Sequence, residues 1–241
     1  AHLIADDSRF GQYASGKKLS TDQAPILINN DIESIANQLQ PIPGKPLHFT
    51  LTTRMENPIH NELQPFFEIH DSRYMMYWLA LSEDNYKGHL AQLAKAEQER
   101  QALEASTIDK VQPGEQQPET DHRMETDQSF TGNTNDCFWR DANDGHYFSY
   151  LMQTQGQENI ALRLKYWGVG EWKSHEFDIF VDDVLVKSVN NTGKYRISEF
   201  KYEVYDIPAE LLKGKTQVRV KFVAKPGKQI GEIYEVRLIN K

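Results

Sequence analysis

A chain of 241 residues with a formal net charge of −8 and a single cysteine has room for one large or two modest domains, either of which buries a core without disulfide help. Its Lys and Arg are scattered rather than gathered into a basic stripe, which excludes the usual footprint of a nucleic-acid binder. No run of about 18 apolar residues is present, so no segment reads as a membrane-spanning helix.

The elements follow in chain order. Asp6 to Gly16 is polar and punctuated by glycine, and Pro25-Ile26-Leu27-Ile28 reads as a short strand. Asp31 is placed to cap a helix over Ile32 to Leu39, with Ile32, Ile35, Ala36 and Leu39 on one face and Pro41, Pro43 and Pro46 ending it. Leu47, Phe49 and Leu51 alternate with polar residues as a strand does. Leu63 to His70 and Tyr74 to Leu81 follow as two more strands around an Asp71-Ser72 turn, a spacing that predicts an antiparallel meander.

Ser82 is a helix cap with Glu83 and Asp84 in the first turn, and the helix is expected to run to about Ala105. Tyr86, Leu90, Leu93 and Ala94 share a face in its first half, while its second half is polar nearly all round and reads as a spacer. Thr107 to Asp121, with Pro113-Gly114 and Pro118, reads as a linker. Seven short strands are expected beyond it: 147–152, 160–167, 176–181, 184–189, 200–207, 217–224 and 233–239. Asp182-Asp183 is a hairpin turn between two of them, and Pro208 to Lys213 is one helical turn closed by Gly214. The predicted fold is mainly β: an antiparallel β-domain (a partial sandwich) over 1–81, a helix and polar linker over 82–120, and a β-sandwich or jelly roll over 121–241.

The segment from Pro113 to Tyr150 concentrates aromatics, carboxylates, amides and glycines, the residue types that grip polar ligands. Phe138, Trp139, Tyr147, Phe148, Tyr150, Tyr166, Trp167 and Trp172 are candidates to stack on sugar rings, although alternating aromatics in strands mostly fill cores. Trp172, in the glycine-bearing stretch Gly168 to Lys173, is freest of that demand. Trp139, Arg140, Asp141, Asn143, Tyr147 and Trp172 are the candidate carbohydrate-binding residues, by stacking and by hydrogen bonds to hydroxyls. Asp121, Glu125, Asp127, Asp136, Asp141 and Asp144 could supply oxygens to calcium, but without EF-hand spacing they read as solvated loop acids, so no cofactor is expected. They form no distinctive glycosidase acid pair either. His70-Asp71 with Arg73 sits at a turn with no nucleophile motif, and Cys137 reads as a small buried residue. No catalytic set or metal-ligand spacing emerges.

Several blocks carry a family likeness. They are Ala5-Asp6-Asp7-Ser8-Arg9 with Gly11 and Ala14-Ser15-Gly16, the stretch Phe66 to Trp78, the linker Pro113 to His122, Ser129 to Gly132, Phe138 to Ala142, Phe222-Val223-Ala224 with Pro226-Gly227, and Ile233 to Leu238. In that order they resemble the C-terminal part of bacterial glycoside hydrolases of the β-L-arabinofuranosidase type, families 127 and 146. In that family an (α/α) barrel carries catalysis through a zinc-bound cysteine among further cysteines and a glutamate, and β-domains follow it. This chain has only Cys137, outside that motif, and no barrel-sized helical region. The resemblance therefore implies a non-catalytic accessory region, with residues 120–241 helping to bind arabinose-containing polysaccharide. Its partners would be carbohydrate and an upstream catalytic domain, with no nucleic acid and no membrane insertion. It further implies an extracytoplasmic, periplasmic location and a first domain lacking strands that the parent supplies. No leader pattern and no starting Met stand at the beginning, which reads as a mature form or an excised piece. A module that only braces the barrel is the alternative, and a stand-alone hydrolase a more distant one.

Overall fold

The computed structural model describes residues 26–31, 37–51, 55–56, 62–63, 65–68, 79–134, 136–168, 174–195 and 197–241. The chain divides into two compact units, 1–98 and 99–241. The first carries two small sheets. Strand β1 (Ile26–Ile28) is buried at all three positions. β2 (Leu39–Pro41), β3 (Phe49–Leu51) and β5 (Glu62–Leu63) form an antiparallel sheet in the order β2-β3-β5. β1 lies between β4 (Met55–Glu56), antiparallel to it, and β6 (Leu79–Leu81), parallel to it.

Three expectations change here. Leu39 does not end a helix: it opens β2 and pairs with Leu51. Pro41 is tolerated in β2 because an edge strand leaves one side unpaired, where a missing N–H costs no ladder bond. Within the predicted strand 63–70, Phe66–Glu68 is instead a 3-10 turn in which Glu68 N donates to Pro65 O at 3.0 Å. Finally, β3 and β5 pair antiparallel as the predicted meander requires, but Leu79–Leu81 pairs in parallel with distant β1, which a long connection permits, and residues 74–78 of the predicted strand lie outside the described residues. His70, Asp71 and Arg73 lie outside the described residues.

Helix α1 spans Glu83–Ser106, and the boundary between the units falls inside it. Ser82 Oγ accepts from Asn85 N (3.3 Å) and Asn30 Oδ1 accepts from Glu83 N (3.0 Å), so two side chains serve its free N–H groups. Tyr86 packs with Ile26 and Ile28 in a small cluster. Leu90 and Leu93, expected on the same buried face, are 45% and 48% exposed. Tyr86 anchors the first turn, and the last turn is tied down by Glu104, which pairs with Arg237 at 3.0 Å.

The second unit is a β-sandwich. Its elements are β7 (Thr107–Val111), α2 (Gln116–Asp121), β8 (Glu125–Thr126), β9 (Phe130–Thr134), β10 (Cys137–Asp141), β11 (Tyr147–Gln153), β12 (Ile160–Trp167), β13 (Glu176–Val181), β14 (Val184–Asn190), β15 (Phe200–Asp206), α3 (Ala209–Leu212), β16 (Gln217–Ala224) and β17 (Ile233–Asn240). One sheet runs β15-β12-β17-β10-β9, with β7 also paired to β17, and the other runs β14-β13-β16-β11-β8. Every ladder is antiparallel. Alternate residues point inward: Phe148, Tyr150 and Met152 of β11, Leu162, Leu164 and Tyr166 of β12, and Val218, Val220 and Phe222 of β16 meet in one core. Each such side chain contributes about 1.5–3 kcal/mol by leaving water.

All seven predicted strands of this unit form. Residues 107–121 are no linker, however. Thr107–Val111 alternates sufficiently to pair with β17 through Val236↔Val111, and Gln116–Asp121 is helical. The reason is a buried carboxylate. Glu119 of α2 accepts from Arg140 Nε and Nη2 (2.6 Å each), Tyr150 OH (2.8 Å) and Gly114 N (2.8 Å). Burial pushes its pKa up, but these four donors outweigh that and hold it below the usual value. Burial and Glu119 together push the Tyr150 phenol well up.

Two predictions follow from this packing. Glu119→Gln leaves the Arg140 guanidinium buried without its counter-charge, so urea unfolding of the variant is expected to show a loss of about 3–5 kcal/mol; a change under ~1 kcal/mol would show that the pair does not hold α2. His122 supplies a pH dependence. Its Nδ1 donates to Pro118 O (2.6 Å) and its Nε2 to Asp109 Oδ1 (3.1 Å), both acceptors, so the ring is held as imidazolium and its pKa is raised above 6.5, first by Asp109, against burial. A raised folded pKa means that this stabilisation is full below 6.5 and fades as pH rises through the folded value. The urea midpoint should fall over that window, and His122→Asn should remove the slope; an equal slope in the variant refutes the assignment.

Candidate functional site

The five described residues of the six singled out from sequence do not converge on one cleft. Arg140 and Asp141 are both buried. The Arg140 guanidinium, expected to meet sugar hydroxyls, is committed to Glu119 and, through Nη1, to Ser129 Oγ at 2.6 Å. Asp141, 1% exposed, accepts from Gly231 N at 3.0 Å and ties the turn before β17 to the end of β10. Asn143 is exposed at one end of the sandwich, in a bridge with Gln229. Tyr147 lies on the outer face of its sheet, because its neighbour Phe148 fills the core, and Lys221 Nζ stands 4.8 Å from its ring centroid. Trp172 lies outside the described residues.

Trp139 is placed differently. Arg140 points inward, so strand alternation turns Trp139 to the outer face of the other sheet. It stands directly across from Gly132 of β9, and a Cβ on that glycine would come within 2.3 Å of indole Cζ2. The glycine is thus a seat that lets the ring lie against the strand. Phe130 meets the ring edge-on, with centroids 6.1 Å apart at 87°, and indole Nε1 donates to Thr134 Oγ1 at 3.2 Å.

The same outer face carries more rings. Trp167 faces out because Tyr166 is in the core, and its partner Phe200 packs against it at 4.8 Å. Tyr234 follows at 5.2 Å from Phe200. Burial pushes its phenol up to about 12, so it stays a neutral hydroxyl. Lys165 Nζ sits 3.8 Å from the Phe200 centroid and 3.8 Å from Cys137 Sγ. Phe130, Trp139, Tyr234, Trp167 and Phe200 therefore come from five successive strands, β9, β10, β17, β12 and β15. Phe130 is 42% exposed, Trp139, Trp167 and Phe200 are half-buried, and Tyr234 is covered. Of the other aromatic candidates, Phe148, Tyr150 and Tyr166 are core residues, and Phe138 is 43% exposed. Phe130, Phe200 and Tyr234 were not legible as site residues; the signal was their outward parity, which needs the strand register.

The acids cluster less than their spacing suggests. Asp127 accepts from Gln128 N (2.6 Å), Tyr147 N (2.8 Å) and His146 Nδ1 (2.9 Å). Burial pulls its carboxyl upward, and these bonds outweigh that and bring it to about 2. Glu125 pairs with Arg219, and Asp144 accepts from Gly227 N. Among the described residues, no three His, Cys, Asp or Glu side chains come together as a metal site.

No curated protein matches the chain. Solved structures similar to the chain include a family 35 carbohydrate binding module from Clostridium thermocellum, 10% identical over 56% of this chain and 99% of that one, with a TM-score of 0.42. Another is the CBM36-1 domain of a multidomain xylanase from the hindgut metagenome of Trinervitermes trinervoides, 13% identical over 55% and 96%, at 0.39. A family GH115 4-O-methyl-alpha-glucuronidase is 9% identical over 56% of this chain and 18% of its own length, at 0.37. The model of a domain of unknown function, DUF4986, matches residues 1–80. That of a family of unknown function, DUF6805, matches residues 102–239, which is more than half of the chain and takes in the sandwich from β7 to β16 and all but the last residue of β17. The chain belongs to the DUF6805 family.

Proposed function

We propose that the chain is a non-catalytic accessory region that binds carbohydrate, and that its ligand is an arabinose-containing polysaccharide attacked by an upstream glycoside hydrolase domain of the same parent protein. The observation that carries the binding reading is the ring strip on the outer face of the β9–β15 sheet. Sugar rings present flat C–H faces that pack on aromatic rings, and their hydroxyls need donors and acceptors at the margin. Here the rings lie outside the core and across strands spaced ~4.8 Å apart, so five strands make a strip about 19 Å long. Thr134 and Lys165 stand among the rings as polar groups. The sugar, the parent enzyme and the periplasmic location rest on the sequence resemblance.

An open strip supports weak binding, on the order of 0.1–1 mM. Calorimetry of the full chain with arabino-oligosaccharides is expected to give saturable heat in that range, and Trp139→Ala to weaken it at least ~10-fold, about 1.4 kcal/mol. Gly132→Ala, whose methyl would collide with the indole, is expected to weaken binding similarly and to shift tryptophan emission while the free energy of urea unfolding changes by less than ~1 kcal/mol. Absence of heat at millimolar ligand would leave the bracing role in its place, and turnover of an aryl arabinoside by this chain alone would overturn the non-catalytic reading.

A further inference from the structure

The polarity of β15 is inverted. Strands of a sandwich normally turn apolar side chains inward and polar ones to water. In β15, Lys201 and Glu203 point between the sheets, while Phe200, Tyr202 and Val204 point out. That parity is fixed by Tyr205 in the core and by the pairs Trp167↔Phe200, Lys165↔Tyr202 and Arg163↔Val204. Burial follows the same inversion: the two charged side chains are half-buried, whereas Tyr202 is 49% and Val204 54% exposed. β15 is an edge strand, and inward charges guard a free edge against further pairing, which accounts for Lys201 and Glu203. Both have ion-pair partners, Glu199 and Lys194. Edge protection does not account for a run of apolar side chains on the outside of the same strand.

Tyr202 is the best placed of the three. The Arg163 guanidinium carbon lies 3.9 Å from the centroid of its ring, so a cation backs one face. Arg163 is itself held by Glu235 at 3.0 Å. With one face covered and the residue still half-exposed, the other face of the ring is open to solvent. The ring is therefore a plate fixed from behind. It also continues the ring strip. Residues i and i+2 of a strand stand ~6.8 Å apart on one face, so Tyr202 is the next outward side chain after Phe200, the last ring of the strip. The strip crosses the strands, whereas Phe200, Tyr202 and Val204 run along one of them. The two directions meet at Phe200 as a corner.

We propose that Tyr202 is the stacking platform of a branch subsite, on which a side-chain sugar of a branched polysaccharide packs while the main chain lies on the ring strip. The C–H face of a sugar matches an open aromatic face, and the phenol hydroxyl at its rim both donates and accepts. Val204 extends the apolar floor beyond the ring. The subsite rests on the ring strip as the seat of the main chain, and it narrows the ligand from any arabinose-containing chain to a branched one.

The test is calorimetry and ¹⁵N-resolved NMR of the full chain with two arabino-oligosaccharides of equal backbone length, one linear and one carrying arabinose side units. The branched ligand is expected to bind about five-fold more tightly, the worth of one added aromatic contact. It should shift backbone amides in 201–205 saturably, and the linear ligand should not. Tyr202→Ala, at an exposed edge position, is expected to keep the fold and the linear affinity and to lose the five-fold advantage; Tyr202→Phe, which keeps the ring, should retain it. Equal affinity for the two ligands, an unchanged advantage in Tyr202→Ala, or no sugar-dependent shift at 201–205, as expected if the patch serves a protein partner, would each overturn the subsite. Trp139→Ala separates the two readings. If it weakens both ligands while Tyr202→Ala weakens neither, the strip stands and the branch subsite falls.

Discussion

The carboxylate of Glu119 is the constraint on which the second unit depends. It comes from α2, yet its donors come from β10 of one sheet, β11 of the other and the turn at Gly114. A buried charge is costly unless fully paired, and four donors meet that requirement. The consequence is directional. With Arg140 drawn inward to Glu119, pleating sends Trp139 outward, onto the seat left by Gly132. A one-residue slip of β10 would bury the indole and expose the guanidinium, so the ion pair also selects the register that creates the candidate binding face.

How much of this was legible follows from where the information lies. Strands β11 to β17 are long, alternating and rich in β-branched and aromatic residues, so their period shows in the sequence, and their bounds fall close to expectation. β7 to β10 are shorter, more polar and interrupted by Pro113 and Gly114, so they look like a linker running into a polar loop. Their order comes from distant partners: Val111 needs Val236, and Arg140 needs Glu119. The same distance explains the site. Arg140 and Asp141 have the chemistry of sugar-binding residues, but burial assigns them to the frame, and no local pattern separates the two uses. Leu39 illustrates a contest between local and tertiary preference: helix-like spacing on one side, and a strand partner at Leu51 on the other, which prevailed.

The sandwich offers its polar and aromatic groups at different places, and each has a physical reason. The outer face of the β9–β15 sheet holds rings because a pleated surface supports flat side chains on neighbouring strands at fixed spacing. Its other half is charged instead: Arg163, Glu235, Arg237 and Glu104 form a chain of ion pairs in which α1 supplies the last carboxylate. The Arg237 side chain is only 4% exposed, so this end of the face is occupied by the close of α1, while the ring-bearing end is not. The helix therefore limits which part of the face can meet a ligand.

Rigidity connects these features to weak recognition. The rings of the strip stand on paired strands, so little ordering is required when a ligand arrives. Trp139 is held by its bond to Thr134 and by its seat on Gly132. A shallow contact can be selective under those conditions, because a mismatched sugar cannot be accommodated by moving the wall. Loops would adapt to more ligands and discriminate less. The candidate site of this sandwich therefore belongs to the strands themselves, where pairing register rather than loop composition decides which side chains face outward.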